Sequence, residues 1–371
     1  MRILVHAPMH YEYSTELASA LAARSDVSAV LLVVCADFPY EQQCDCAIER
    51  LYPDQSRVPG KMAKLRAHFG ALARLIALLR RWRPDILHIQ ALRHTDIDWP
   101  LLLAARLLSV PIVWTAHNAL PHERRAHHRL LYRTIYGGSD RLIVHTRHTQ
   151  AELERFGVPG ERMARVPHGN LRRMVGRQWP KAQARCDLGL ETGDQTLVLL
   201  FFGRVRPYKG LDLLLAAMAR LEQRDIVLLV AGEDLFDEWS TVVAPANVRM
   251  DLRRIDNDSA DRYFSAADLV VLPYRRIDQS GVLMLAMSHG VPVMATAVGG
   301  LAEVIEHGRT GFLLPPEDIE ALTSAIGRID DDRDGLARVR QATRDAVDNE
   351  YGWATIAAQT MAVYGAVARK R

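Results

Sequence analysis

Leu197-Val198-Leu199-Leu200-Phe201-Phe202-Gly203-Arg204-Val205-Arg206-Pro207-Tyr208-Lys209-Gly210 is the stretch of this 371-residue chain that says most about its fold. Six consecutive apolar residues have the length of a strand buried on both faces, the condition of a parallel sheet covered by helices. A helical apolar pattern over residues 211–221 follows at once, so a strand passes through a glycine turn into a helix. Glycine at a strand end lets a ligand approach the backbone. Arg204 and Lys209, five residues apart, then face one crevice across the turn. A planar donor fork and a compact point charge together suit a diphosphate.

The same alternation extends in both directions. Strands are expected at residues 3–6, 30–34, 86–89, 112–115, 142–145 and 165–166, then at 197–202, 226–231, 248–250, 269–272, 293–295 and 311–314. Helical patterns at 14–24, 101–108, 211–221 and 319–328 separate them, and a last helix at 353–368 has no strand after it. The fold class is therefore α/β, with two doubly wound, Rossmann-like domains. The pattern breaks at residues 170–190, which places the domains at 1–172 and 173–350, with 351–371 as a closing helix. Asp330-Asp331-Asp332 reads as a solvated loop.

Composition agrees with two domains, since the length exceeds the ~250–300 residues at which single cores stop growing. Apolar content of 49% and charged content of 25% exclude disordered, collagenous and coiled-coil chains. The net charge of +3 hides an asymmetry: residues 1–170 carry 22 basic and 16 acidic side chains, the remainder 25 and 28. Twelve of the 14 histidines also fall in the first part. No run approaches the ~18–20 apolar residues of a membrane span, and residues 1–8 lack a secretory signal core. Cys35, Cys44, Cys46 and Cys186 are too few and too unevenly spaced for a disulfide framework. A reduced, cytoplasmic protein with free thiols is expected.

In doubly wound sheets, ligands bind beyond the carboxyl ends of the strands. A second candidate there is Asp278-Gln279-Ser280-Gly281-Val282, opening an apolar helix: Asp278 or Ser280 can cap it, and its free N–H groups can hold an anion. A third is the turn Ala297-Val298-Gly299-Gly300-Leu301-Ala302-Glu303. In the first half, Trp114-Thr115-Ala116-His117-Asn118 ends a strand and Pro121-His122-Glu123 follows. A histidine so placed donates a hydrogen bond, acts as a base, or is simply structural. His122, Glu123, His127 and His128 lack the i, i+4 spacing of a zinc helix, so no metal is expected. Asp96 and Asp98 read as surface or acceptor-side carboxylates. The first strand runs into Ala7-Pro8-Met9-His10-Tyr11 instead of G-x-G-x-x-G, which argues against a nicotinamide oxidoreductase.

Between Gln55 and Pro84 there are eight cations and no acid, among them Lys61, Lys64, Arg80 and Arg81. Leu65, Phe69, Leu72, Leu75, Ile76, Leu79 and Trp82 recur among them at helical spacing. Two readings stay open: a helix binding an anionic membrane surface, or a core helix with a solvated basic face. No aromatic platform or known module accompanies the charge, so nucleic acid is not an expected partner.

These motifs resemble the GT-B nucleotide-sugar glycosyltransferases, most of all glycosyltransferase family 4. The resemblance rests on Gly203-Arg204 to Lys209-Gly210, Ala231-Gly232-Glu233, Ala266-Ala267-Asp268 to Leu272-Pro273, Gly290-Val291-Pro292-Val293, and Gly299-Gly300 to Glu303, in that order, with Thr115-Ala116-His117 and Val166-Pro167-His168-Gly169 in the first half. It implies transfer of a hexose-type sugar from a nucleoside diphosphate sugar to a lipid-linked or polysaccharide acceptor, with no cofactor and no obligatory metal. Arg204, Lys209, Ser280, Gly281 and Val282 would hold the diphosphate. Gly203, Gly232, Glu233, Gly299, Gly300 and Glu303 would shape the donor loops, and His117 would lie beside the donor sugar. The acceptor side would include His10, Asn118, His122 and Glu123, and the closing helix would cross back onto the first domain.

Two glutamates that the family places across the phosphate-binding helix start are replaced here by Ile277 and Leu285, with Asp278 as a neighbouring catalytic candidate. The His117–Glu123 stretch and Tyr274-Arg275-Arg276 also resemble the β-mannosyltransferase family of xanthan assembly, whose members invert the anomeric centre. Retention and inversion are both open. The rival functions are a nucleotide-sugar epimerase or hydrolase on the same fold, and an inactive nucleotide-sugar-binding module. The expected setting is exopolysaccharide or envelope-glycan synthesis at the inner face of the cell membrane.

Overall fold

The structure is a computed structural model. It describes all residues except 55, 121–127, 191–192, 194, 236–238, 240 and 369–371, and the side chains of 128, 129, 257 and 258. Two compact units result: Met1–Gly169 with Gly352–Arg371, and Asn170–Tyr351. The division falls at Gly169 rather than residue 172 for a local reason. Asn170 N donates to Tyr351 O (2.9 Å), Asn170 Nδ2 to Val347 O (3.0 Å), and Leu171 N to Ser288 Oγ (2.8 Å), tying these residues to the second unit.

Among the described residues the first unit holds seven strands, β1 (Arg2–His6), β2 (Ala29–Cys35), β3 (Ala47–Tyr52), β4 (Ile86–Ile89), β5 (Ile112–Ala116), β6 (Arg141–Val144) and β7 (Met163–Arg165). They pair in parallel in the order β3-β2-β1-β4-β5-β6-β7. β3 has no counterpart in the expected pattern. Glu49 and Arg50 interrupt its apolar run, and an edge strand has only to bury its end, here Leu51 and Tyr52. Between the strands run α1 (Tyr11–Ala22), α2 (Lys61–Trp82), α3 (Trp99–Leu107), α4 (His128–Gly138) and α5 (Arg147–Arg155). Leu72, Leu75 and Leu79 of α2, Leu101 and Leu102 of α3, and Ile135 and Tyr136 of α4 close one face of the sheet into a single core.

The second unit contains α6 (Lys181–Asp187), β8 (Leu197–Phe202), α7 (Leu211–Ala219), β9 (Ile226–Ala231), β10 (Val248–Asp251), α8 (Asn257–Ala266), β11 (Leu269–Leu272), α9 (Gly281–Ser288), β12 (Val293–Thr296), α10 (Leu301–Val304), β13 (Gly311–Leu314), α11 (Ile319–Asp331) and α12 (Arg333–Asn349). Its parallel sheet has the order β10-β9-β8-β11-β12-β13. β8 shows why a continuous apolar run is needed: Leu197, Leu199 and Phe201 enter one core, Val198 and Leu200 the other. Asp330–Asp332 is not a loop. It joins α11 to α12, where Asp332 accepts from Gly335 N (2.8 Å) as the cap and Asp330 receives Arg224 and Arg333.

The last helix, α13 (Trp353–Ala368), packs on α1 within the first unit. Tyr13 meets the Trp353 ring at 5.2 Å, and a Cβ on Gly169 would strike that ring. Both sheets reverse strand order beside their first strand, at β1/β4 and β8/β11, and these switch points open crevices at the carboxyl edge. Among the described residues no helix is long and apolar enough to cross a membrane.

Candidate active site

In the second unit the loops after β8, β9, β11 and β12 converge on the β8/β11 switch point. Gly203 N donates to Ala231 O (2.9 Å), and Val205 N donates to the carbonyl of Glu233 (2.9 Å), so the first two loops are laced together. Gly232 sits where any Cβ would meet the Gly203 carbonyl. Arg275 closes the other side: its N–H donates to Tyr208 O (2.8 Å) and its Nη1 to Pro207 O (2.7 Å). Gly299, at φ +50°, lies against the Ile277 carbonyl, where a side chain would collide, and Gly300 N donates to Asp278 O (3.1 Å). Ser280 is buried and caps α9 by accepting from Leu283 N (3.3 Å).

Lys209 is the electrostatic centre of this crevice. It is only 8% exposed, and its ammonium stands 5.6 Å from the Tyr274 ring centroid. Burial, reinforced by Arg204 and Arg206, pushes its pKa from 10.5 down to about 8. Among the described residues no carboxylate pairs with Lys209 or with exposed Arg204. A buried ammonium among further cations is costly unless an anion completes the set. Val282 also borders it: a Cβ on Gly203 would lie 3.2 Å from Lys209 Nζ and 3.3 Å from Val282 Cγ2. Expected donor-site residues 203, 204, 209, 232, 280–282, 299 and 300 are thus brought together. Glu233 takes part through its carbonyl, Asp278 is half-buried in the loop before α9, and Glu303 is an exposed residue of α10.

In the first unit the carboxyl ends of β1, β5, β6 and β7 carry a histidine cluster. His10 stacks on His117 (4.0 Å between centroids), His117 is 5.2 Å from His145, and His145 is 5.3 Å from His168. Tyr13 lies centrally, 5.0, 5.1 and 4.8 Å from the rings of His117, His145 and His168. Burial holds His117 well below the usual histidine range, and the neighbouring imidazoles add to this; the same cause takes His145 to about 3 and His168 to about 4. These rings are neutral at pH 7 and act as hydrogen-bonding groups. His10 adopts φ +59° at the start of α1, the left-handed region that a non-glycine residue enters at a cost. Sequence reasoning selected His10 and His117 but not Tyr13 or His145; a histidine at each of three strand ends was the available signal.

Other expectations fare differently. Asn118 is half-buried, its carbonyl accepting from Tyr136 Oη (3.4 Å), while His122 and Glu123 lie outside the described residues. Asp98 is not a surface carboxylate: it is buried, accepting from His68 Nε2 (2.6 Å) and from His94 N (2.9 Å). On α2, Lys61, Arg80 and Arg81 are exposed and Lys64 is half-buried. The helix divides along its length, burying Leu72, Leu75 and Leu79 but exposing Met62 (71%), Leu65 (37%) and Phe69 (49%) among its first cations. Among the described residues, no three His, Cys, Asp or Glu side chains are grouped as metal ligands.

The family models agree with this division. One described as "Glycosyltransferase Family 4" matches residues 12–169, and one described as "Glycosyl transferases group 1" matches residues 196–332. A D-inositol 3-phosphate glycosyltransferase of Pseudarthrobacter chlorophenolicus is 30% identical, over 95% of this chain and 89% of its own length. The chain belongs to the GT-B glycosyltransferases of family 4 type. The same-named enzyme of Thermobispora bispora is 29% identical over 84% of this chain and 76% of its own. In fold, this glycosyltransferase is similar to Anabaena HepE crystallised with UDP-glucose: TM-score 0.76 at 19% identity, covering 99% of this chain and all of the other. The two glycosyltransferase units are thus two parallel Rossmann-like sheets, and the loops at their carboxyl edges are where its chemistry is sought.

Proposed function

We propose that this glycosyltransferase moves a hexose-type sugar from a nucleoside diphosphate sugar to a lipid-linked or polysaccharide acceptor without an obligatory metal. The observation that carries this reading is the buried Lys209 beside Arg204 at the β8/β11 crevice, with no carboxylate partner among the described residues. Two fixed cations and the capped start of α9 supply what a departing diphosphate needs, so charge neutralisation falls to side chains and backbone N–H groups. Asp278 stands as a carboxylate beside that helix start. The histidine cluster, with His117 between His10 and His145, offers neutral donors and acceptors for the sugar and the acceptor hydroxyl.

A peripheral membrane setting, in envelope-glycan or exopolysaccharide synthesis, follows from α2. Met62, Leu65 and Phe69 form one exposed stripe at i, i+3 and i+7, with Lys61, Lys64 and Arg66 beside it. Apolar side chains that enter a headgroup layer, flanked by cations that meet anionic lipid, are the requirements of interfacial binding.

The test begins with thermal shifts against UDP-, GDP- and ADP-hexoses, since a ligand at ~100 times its Kd adds ~2.7 kcal/mol. UDP-glucose is the first donor to try. Turnover is then followed in wild type, Arg204→Ala and Lys209→Ala, with an expected loss on the order of 10²–10³ for each. Near-normal transfer in both variants would refute the donor-site assignment. Donor consumption without an acceptor would instead favour an epimerase or hydrolase.

A further inference from the structure

The histidine cluster continues inward from His117 as a chain of hydrogen bonds. His117 Nε2 lies 2.9 Å from Gln90 Oε1, and Gln90 Nε2 lies 3.1 Å from His88 Nε2. His88 Nε2 also meets Thr115 Oγ1 at 2.7 Å, and His88 Nδ1 meets Tyr364 Oη at 2.6 Å. All five side chains are buried, His88 and Tyr364 completely. His88 and Gln90 come from β4 and the strand end after it, Thr115 from β5, and Tyr364 from α13.

Proton bookkeeping limits what this chain can be. A carboxamide oxygen only accepts and its nitrogen only donates. With Gln90 Oε1 toward His117, the His117 proton sits on Nε2 and its Nδ1 is a lone pair. Gln90 Nε2 then donates to His88 Nε2, so His88 carries its proton on Nδ1 and donates it to Tyr364. The Thr115 hydroxyl suits either direction. Reversing the chain is also self-consistent: Tyr364 donates to His88, His88 Nε2–H donates to a flipped Gln90, and Gln90 donates to His117 Nε2. In that case the His117 proton moves to Nδ1.

We propose that Tyr364, His88 and Gln90 are a positioning relay that holds His117 in its Nε2–H tautomer, so that Nδ1 presents an acceptor to the sugar-transfer site. The role in transfer rests on the reading that His117 lies beside the donor sugar. Because burial keeps these imidazoles neutral, the tautomer is the variable that the surroundings can set. α13 thereby acquires a chemical task in addition to packing: it supplies the phenol that terminates the relay.

The test is imidazole ¹⁵N NMR on the full chain, with the His117 signals assigned through His117→Gln. Wild type shows His117 protonated on Nε2. Tyr364→Phe removes the acceptor of the His88 Nδ1 proton and shifts the His117 proton toward Nδ1. In a Gln90→Leu background, Tyr364→Phe no longer moves it. Gln90→Glu, whose carboxylate can only accept, returns His117 to the Nε2–H form even with Tyr364→Phe. Transfer follows the tautomer: kcat drops in Gln90→Leu by on the order of 10- to 100-fold, taking the scale at which metal-ligating histidines respond to loss of their orienting partner, and Gln90→Glu recovers part of it with donor KM little changed. Wild-type His117 protonated on Nδ1, or a tautomer indifferent to Tyr364→Phe, overturns the relay. A tautomer that responds while transfer is unchanged overturns the placing of His117 at the sugar and the relay's role in transfer, leaving the diphosphate site untouched.

Discussion

Replacing Lys209 by methionine should make the protein more stable while weakening donor binding. The side chain keeps its length and apolar stem but loses the ammonium. Lys209 has its pKa held at about 8 in the folded state against an ordinary 10.5. A gap of that size corresponds to about 3 kcal/mol at pH 7, where both states are protonated and the folded one carries the cost. Between pH 8 and 10.5 the unfolded chain binds the additional proton, so wild-type stability rises with pH through this window. The advantage of Lys209→Met is therefore full below about pH 8 and fades toward pH 10.5. For the second unit this amounts to an increase in Tm of about 6–12 °C at pH 7. Urea unfolding of both proteins at pH 7 and pH 10, followed by far-UV circular dichroism, measures the difference. Calorimetry of nucleoside diphosphate binding near pH 8, in buffers of different ionisation enthalpy, should show proton uptake by wild type, because an anion restores the charged lysine. A Lys209→Met variant no more stable than wild type at pH 7, or a stability difference independent of pH, would refute the argument that the ammonium is held at a cost for an anion.

Three further outcomes are expected. Asp98→Ala, which removes the buried acceptor of His68 Nε2 and of the His94 N–H, should lower the stability of the first unit by about 1–3 kcal/mol in urea unfolding; since the Asp98 carboxyl is held below the usual range, this contribution is present at neutral pH and is lost as pH falls through that depressed value. Gly299→Ala places a methyl against the Ile277 carbonyl at positive φ and should cost at least about 1–2 kcal/mol while weakening nucleotide-induced thermal shifts, because the loop before Ser280 must move. Flotation with anionic liposomes should recover wild type, and recovery should fall with Lys61→Gln/Lys64→Gln by roughly 1 kcal/mol per cation, and with Phe69→Ser; equal recovery of all three would remove α2 from any membrane role.

Much of the molecule was legible in one dimension because parallel strands are buried on both faces and write themselves as apolar runs. All six strands of the second sheet, and six of the seven in the first, lie within a few residues of those runs. β3 escaped because an edge strand tolerates Glu49 and Arg50. The donor loops were legible for a related reason: a glycine turn between strand and helix, with Arg204 and Lys209 inside it, is a local pattern. The role of α2 was only half legible, since periodicity gives a face but not what covers it.

The sequence alone thus determined the α/β class, the two units and the cationic turn, all of which depend on residues near one another in the chain. Only the tertiary structure decided that Lys209 is buried with no carboxylate partner among the described residues, that Asp98 is a core partner of His68, and that Tyr364 reaches His88 across 276 positions of sequence. Burial and hydrogen-bond partnership are properties of the packed chain. They set the proton state of a side chain, and no spacing along the sequence records them.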